Sequence, residues 1–110
     1  MQRDLLFLSE AIQAAEKIVN LSEGATADSL QADERTLDAL LWNFTVLGEA
    51  CSQFSQKEQF PFISWHQPIA MRNRVVHGYW SADLQILLDT VQEDLPNLIT
   101  QLDRALANLS

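Results

Sequence analysis

The strongest constraint on the fold is an apolar stripe at helical spacing between residues 37 and 54. Its members recur every three or four positions: Leu37, Leu40, Leu41, Phe44, Leu47, Gly48, Cys51 and Phe54. This period matches the turn of an α-helix that buries one face. Gly48 within the stripe permits a close approach of another helix. Trp42 and Val46 lie off the stripe, so a second face is also partly apolar. The pattern predicts a helix with two packing partners, its own bundle and a second subunit.

A similar stripe near the N-terminus predicts a first helix. Its apolar positions are Leu5, Leu8, Ile12, Ala15, Ile18 and Val19. The period is lost near residue 20, and the polar stretch "ATADSLQADERT" is typical of a loop. At its end, Asp33 or Thr36 can cap the helix that carries the main stripe.

Two further helices are predicted in the second half of the chain. One begins between Ser64 and Pro68, where Ser64 and Gln67 have the spacing of a capping box, and ends near Gly78. The next is capped by Ser81 or Asp83 and interrupted at Pro96, with apolar positions on both sides of the break. We therefore predict an all-α fold over residues 1–110, an antiparallel up-and-down bundle of four to five helices that dimerises.

Composition restricts the possible functions. One cysteine and two histidines among 110 residues supply neither a disulfide framework nor a Cys/His metal cluster. The N-terminal apolar patch is short, so we expect neither a signal peptide nor a membrane span. We expect the protein to be cytoplasmic. The formal charge is −8, whereas nonspecific nucleic-acid binders carry a basic surface. Either nucleic acid is not a partner, or it contacts the protein only at a small local patch. The acidic surface could also bind a basic protein partner.

One such patch is the segment "MRNRVVHGYW", residues 71–80, which combines guanidinium, imidazole and phenol groups. Imidazole titrates near neutrality and can exchange protons with ribose and phosphate oxygens. Guanidinium binds phosphate bidentately and stabilises charge that develops on it. Arg72 and His77 are therefore candidates for phosphate chemistry on RNA, with Asn73 to orient a phosphate or His77. Tyr79 could bind phosphate, stack on a base or accept a modifying group.

A straight helix does not bring Arg72 and His77 together. At about 100° per residue, two residues five apart point about 140° away from each other. Two solutions remain open: the helix unwinds at Gly78 and Arg72 reaches round, or two copies meet at a two-fold axis and pool their side chains. The second apolar face of the helix over residues 37–54 favours the dimer.

The residues from Arg72 to Tyr79 resemble the Arg-x4-His-x-Tyr motif of HEPN-domain ribonuclease toxins, specifically the HepT-like group. The resemblance continues in "LLFLSEAI", "LDALLWNFTVLGEACSQFS", "PFISWHQPIAMRN" and "LPNLITQL". It implies a dimeric helical bundle whose shared cleft is lined by the Arg and His of both subunits. It also implies a metal-independent endoribonuclease without a cofactor that acts on RNA, with tRNA as the expected target.

The same resemblance implies a partner, the MntA-type nucleotidyltransferase antitoxin. Enzymes of this kind transfer AMP from ATP to the motif tyrosine and so block the toxin. On this basis Arg72 and His77 are catalytic, Asn73 supports them at the phosphate, and Tyr79 is the site of AMP transfer.

Other interpretations compete with catalysis. His77 could be a helix-end imidazole, Arg72 could form a salt bridge, and Tyr79 could be a packing residue. The tryptophans are interpreted as packing residues and His66 as structural. Arg74 points to a different face from Arg72 and is interpreted as a surface or dimer contact, and Cys51 as buried and inert. Among the carboxylates, Glu49 stands out because it lies mid-helix beside the apolar stripe. A noncatalytic HEPN module that dimerises and binds a nucleotidyltransferase is the alternative function; a bundle without a site is the third.

Overall fold

The computed structural model describes residues 2–78 and 80–110, with the side chains of residues 80–83 left out. Within these ranges the chain is helical and contains no strand. The six α-helices are α1 (Gln2–Ser22), α2 (Ala27–Gln31), α3 (Glu34–Gln53), α4 (His66–Val76), α5 (Trp80–Glu93) and α6 (Leu95–Leu109), and a 3-10 turn spans Lys57–Gln59. The predicted all-α bundle is confirmed, with one short helix more than expected because α2 lies in the predicted loop.

The main apolar stripe builds the centre of the core. Its buried members on α3 include Leu40, Phe44 and Leu47, which are almost completely shielded from water. Helix α3 packs against α1 and α4, and α1 also packs against α6. The helix that the stripe predicts is therefore confirmed, and a shift of α3 would also disturb the packing of α1 and α4.

Helix α4 begins between Ser64 and Pro68 as predicted, but of the three predicted side-chain caps one is confirmed and two are wrong. The Asp33 carboxylate caps α3 by accepting a 3.2 Å hydrogen bond from the Thr36 N–H. The predicted Ser64 capping box is wrong, because α4 begins at His66 after Trp65 and has no side-chain cap. The predicted cap of α5 by Ser81 or Asp83 is also wrong, because α5 already begins at Trp80.

Helix ends follow the predicted breaks. Gly78 adopts φ +78°, a left-handed conformation that glycine reaches without strain, and it follows the end of α4 directly. This sharp turn explains why α5 can begin so early. At the other break, α6 begins at Leu95 with Pro96 in its first turn, where the missing N–H of proline costs nothing.

An aromatic cluster anchors the connection between α3 and α4. Phe54 stacks on Trp65 with ring centroids 5.1 Å apart and contacts Phe60 at 6.2 Å. The Trp65 indole N–H donates to the Phe60 carbonyl at 3.1 Å. This bond fixes the residue that precedes α4, which explains why α4 starts there without a side-chain cap.

The first turn of α1 is tied to the same connection through Asp4. Its carboxylate accepts hydrogen bonds from the Ser55 hydroxyl (2.6 Å), the Ser55 N–H (2.9 Å) and the Gln56 side-chain amide (2.9 Å). These bonds, with that of the Ser55 hydroxyl foremost, lower the pKa of Asp4 to about 2. The connection that leads to α4 is therefore held on both sides, by the aromatic cluster and by α1.

Among the described residues, no helix is both apolar and long enough to span a bilayer.

Candidate active site

Helix α4 carries Arg72 and Asn73, two of the predicted site residues, and the middle of α4 packs against α3. A Cβ atom added to Gly48 would lie 2.2 Å from the Arg72 Cβ and 2.8 Å from the Pro68 carbonyl oxygen. Real Cβ atoms do not approach other atoms so closely, so the two helices can cross here only because residue 48 is glycine. The predicted close approach at Gly48 is confirmed, and the residue packed against it is Arg72.

The guanidinium of Arg72 is held by two oxygen acceptors. Its Nη1 lies 2.5 Å from Oε2 of Glu49 on α3. Its Nε and Nη2 both donate to Oδ1 of Asn73, at 3.3 and 2.9 Å. The salt bridge considered for Arg72 in the sequence is therefore present, and Asn73 supplies the second acceptor that orients the guanidinium.

The ion pair is asymmetric in its exposure to water. The Arg72 side chain is 21% exposed, because its stem lies against Gly48, whereas Glu49 is 54% exposed. Ion pairs at such exposure contribute little net stability, about 0.2–1 kcal/mol. The contact is therefore strong enough to orient the guanidinium and weak enough to be exchanged for another anion.

His77 lies at the end of α4 as its C-terminal cap. Its backbone N–H donates to the Asn73 carbonyl at 3.0 Å, and its side chain is exposed. The structure thus brings Arg72 and Asn73 together and places His77 at the turn that Gly78 makes. Tyr79, the predicted modification site, lies outside the described residues.

An exposed apolar surface leads to the Arg72 ion pair. Trp42 and Val46 on α3 line a groove with Phe7 of α1, and Glu49 closes it one turn further on. Trp42 is 65% exposed. Trp42 therefore lies on an exposed face of α3, the second apolar face that the sequence indicates, whereas Trp65 is buried as expected. The side chain of Trp80 lies outside the described residues.

A polar depression occupies the opposite part of α4. It is lined by Ser64, His66, Gln67, Arg74 and Asp94, together with Ala70 and Met71. The Gln67 amide donates to the Asp94 carboxylate at 2.8 Å, which ties α4 to the start of α6. Arg74 thus faces a different surface from Arg72, as the sequence predicted.

Sequence reasoning missed the partners that position Arg72. Gly48 was predicted to allow a close approach and Glu49 was singled out, but neither could be assigned to Arg72. The available signal for this contact was the adjacent pair Gly48-Glu49. Gly48, within the apolar stripe, is small enough for two helices to cross there, and Glu49 next to it is charged.

Metal coordination has no obvious ligand set here: the described residues contain no group of three or more His, Cys, Asp or Glu side chains that could hold an ion.

The fold and the site together define a helical domain with an Arg-x4-His motif at the end of one helix, packed on a central helix. The Ribonuclease HepT-like family model matches residues 11–105, and the chain belongs to this family of HepT-like HEPN ribonucleases. The expectation drawn from the motif is thereby confirmed at the level of the family.

Named relatives agree with this assignment. "Probable ribonuclease HepT" of Thermococcus cleftensis is 28% identical over 94 residues, which cover 84% of this chain and 86% of the relative. A protein named "Putative RNase" from Methanocaldococcus jannaschii is 22% identical over 105 residues, covering 94% of this chain and 87% of that protein. No solved structure matches the chain.

Proposed function

We propose that this chain is the toxin of a toxin–antitoxin pair, a metal-independent endoribonuclease that uses Arg72 and His77 and acts on tRNA. The observation that carries the proposal is the position of Arg72 in a ribonuclease of the HepT-like family. Its stem is fixed against Gly48 while its guanidinium reaches the surface, held by one exchangeable carboxylate. A pre-oriented cation at a surface is what phosphate binding requires.

The reaction is transesterification at a phosphodiester. His77 takes the proton of a ribose 2′-OH as the 2′ oxygen forms a bond to phosphorus. The bond from phosphorus to the 5′ oxygen breaks, and that oxygen receives a proton from a second imidazole. Arg72 stabilises the charge on the non-bridging oxygens. The products are a 2′,3′-cyclic phosphate and a 5′-hydroxyl end, so no metal or cofactor is required.

The second imidazole comes from a second copy of the chain. The groove lined by Trp42 and Val46 is apolar, exposed and adjacent to Glu49, so burial of this face by another protomer would bring two Arg72 residues close together. The supporting observation is that Glu49, which lines this groove, is also the residue that binds Arg72.

Regulation is proposed to act at Tyr79. A nucleotidyltransferase antitoxin would transfer AMP from ATP to the phenol oxygen and release pyrophosphate. The site of modification follows His77 by two residues in the sequence. An adenylate two residues along the chain from His77 would add a negative charge and a bulky nucleoside to the motif, and both would oppose the binding of RNA.

Cleavage of tRNA by the two histidine variants tests the function. The chain is expressed without a nucleotidyltransferase, its intact mass is checked for unmodified Tyr79, and it is incubated with total tRNA in EDTA. Wild type is expected to cleave, and His77→Ala to cleave about 10²–10⁴-fold more slowly, the usual contribution of an acid–base group. His66→Ala is the matched control, because it removes an exposed imidazole from the same helix, and it should cleave as wild type does.

Equal cleavage by wild type and His77→Ala would contradict the role of His77. A folded dimer that cleaves no tRNA would contradict catalysis and favour the noncatalytic module that binds a nucleotidyltransferase. The occupied guanidinium of Arg72 and the charge of −8 are the observations that favour this second candidate.

The dimer is tested by Trp42→Arg in sedimentation equilibrium. Arginine removes the indole area that the contact would bury and puts a strongly hydrated charge in its place, so we expect the dimer dissociation constant to rise at least about tenfold. Leu6→Arg, on the exposed side of α1 outside the groove, is the control and should leave the dimer intact. Unchanged association of Trp42→Arg would exclude this face.

A further inference from the structure

We propose that Glu49 is a positioning residue that controls access of RNA to Arg72: its carboxylate holds the guanidinium in the free protein and is displaced by the substrate phosphate. The phosphate is that of the RNA proposed above, so this role rests on the proposed function. Glu49 lies outside the Arg-x4-His segment and reaches the site from α3.

The donors of Arg72 are largely engaged before any phosphate arrives. A guanidinium has five N–H donors. One from Nη1 goes to Glu49, and one each from Nε and Nη2 go to Asn73. The two remaining N–H groups lie on Nη1 and Nη2, so a phosphate that binds them in parallel shares Nη1 with the Glu49 carboxylate. Repulsion between these two anions favours release of Glu49.

Glu49 is the acceptor that can leave more easily. Asn73 accepts from two nitrogens and lies on α4 beside Arg72, whereas Glu49 binds through one oxygen from another helix. The Glu49 side chain is also more than half exposed, so its carboxylate can return to water at little cost. Its other oxygen accepts from the Gln53 amide at 3.2 Å, one turn along α3, and this bond can hold the released carboxylate.

Arg72 itself cannot follow Glu49. Its stem is fixed against Gly48, and Asn73 continues to hold Nε and Nη2. The exchange therefore replaces one anion by another at a guanidinium that stays in place. A phosphate that meets Arg72 finds it already oriented, and the energetic requirement is that RNA outcompete one carboxylate.

The test is affinity for RNA that cannot be cleaved. Binding of a 2′-O-methyl RNA oligonucleotide is measured by fluorescence anisotropy for wild type, Glu49→Gln and Asp38→Asn. Asp38 is exposed on the same helix, eleven residues before Glu49, so its variant removes an equal charge at a distance from Arg72. We expect Glu49→Gln to bind about two- to fivefold more tightly than Asp38→Asn, the range that an exchangeable ion pair of this exposure allows.

A double variant shows whether Glu49 acts through Arg72. In the Arg72→Ala background, Glu49→Gln and Asp38→Asn should have the same affinity, because the guanidinium for which the carboxylate competes is gone. The advantage of Glu49→Gln over Asp38→Asn should also shrink at high salt, which screens the ion pair. An advantage that persists without Arg72 would overturn the proposal.

Kinetics on cleavable tRNA separate this role from a structural or chemical one. The gain should appear as a lower KM with a smaller change in kcat, since Glu49 has left Arg72 before the reaction. A large loss of kcat, or affinity equal to that of Asp38→Asn, would overturn the proposal. Absence of cleavage by wild type would contradict the proposed function, while the binding comparison would still decide the role of Glu49.

Discussion

Gly48→Ala is expected to lower the free energy of unfolding and to reduce cleavage of RNA about a hundredfold. The added Cβ would lie 2.2 Å from the Arg72 Cβ and 2.8 Å from the Pro68 carbonyl oxygen. The first atom is bonded directly to the backbone of α4 and the second is part of it, so neither can swing away like the end of a flexible side chain. Helix α4 must therefore move away from α3. Overpacking of this kind costs about 1–3 kcal/mol, of which the better helix propensity of alanine recovers about 1 kcal/mol.

The effect on activity follows from the same shift. When α4 moves, the guanidinium of Arg72 moves with it, and a misplacement of about 1 Å can reduce a rate about a hundredfold. Urea denaturation followed by circular dichroism measures the stability, and cleavage of tRNA measures the rate. Asp38→Ala, at an exposed position of the same helix, is the control and should change neither by much. Full activity of Gly48→Ala would show that the close crossing is not what positions Arg72.

Phe54→Ala is expected to cause the largest loss of stability, about 3–5 kcal/mol. Phe54 is buried and contacts both Trp65 and Phe60, so its removal leaves a cavity in the cluster that precedes α4. Small domains are stable by only about 5–15 kcal/mol, so this loss is about a fifth or more of the total. Thermal unfolding should shift to a clearly lower temperature.

Phe62→Ala provides the matched control. Phe62 contacts Phe60 edge to face at 6.1 Å, but it is 50% exposed. The same truncation at this position should cost less than about 1 kcal/mol, because about half of the residue is already exposed to water. Equal losses in the two variants would mean that the cluster is not the anchor of the connection to α4.

The helices that could be predicted from the sequence are those with a sustained apolar stripe. The stripe through Leu40 and Phe44 predicted α3 because a helix that buries one face must repeat its apolar residues at that period. Helix α2 gave no such signal, since Leu30 is the one residue of this short helix that is buried. Its capping box at Thr26 and Ser29 closes it locally, without a stripe.

Positions set by tertiary contacts could not be predicted in the same way. The start of α4 depends on Trp65, whose ring stacks on a residue eleven positions earlier. The partner of Arg72 depends on the register between α3 and α4, which brings together residues 23 positions apart. The motif itself was readable because its residues are adjacent in the chain, whereas Glu49 joins it only when the helices cross at Gly48.

The single thiol of the chain has a practical consequence for labelling. Cys51 is fully shielded on α3, one turn after Gly48, and burial raises its pKa to about 12. A thiol in that state offers neither access nor thiolate to a maleimide at neutral pH. A cysteine introduced at an exposed position could therefore be labelled selectively without removing the native one, and a dye placed near α4 could report on RNA binding in an otherwise unaltered protein.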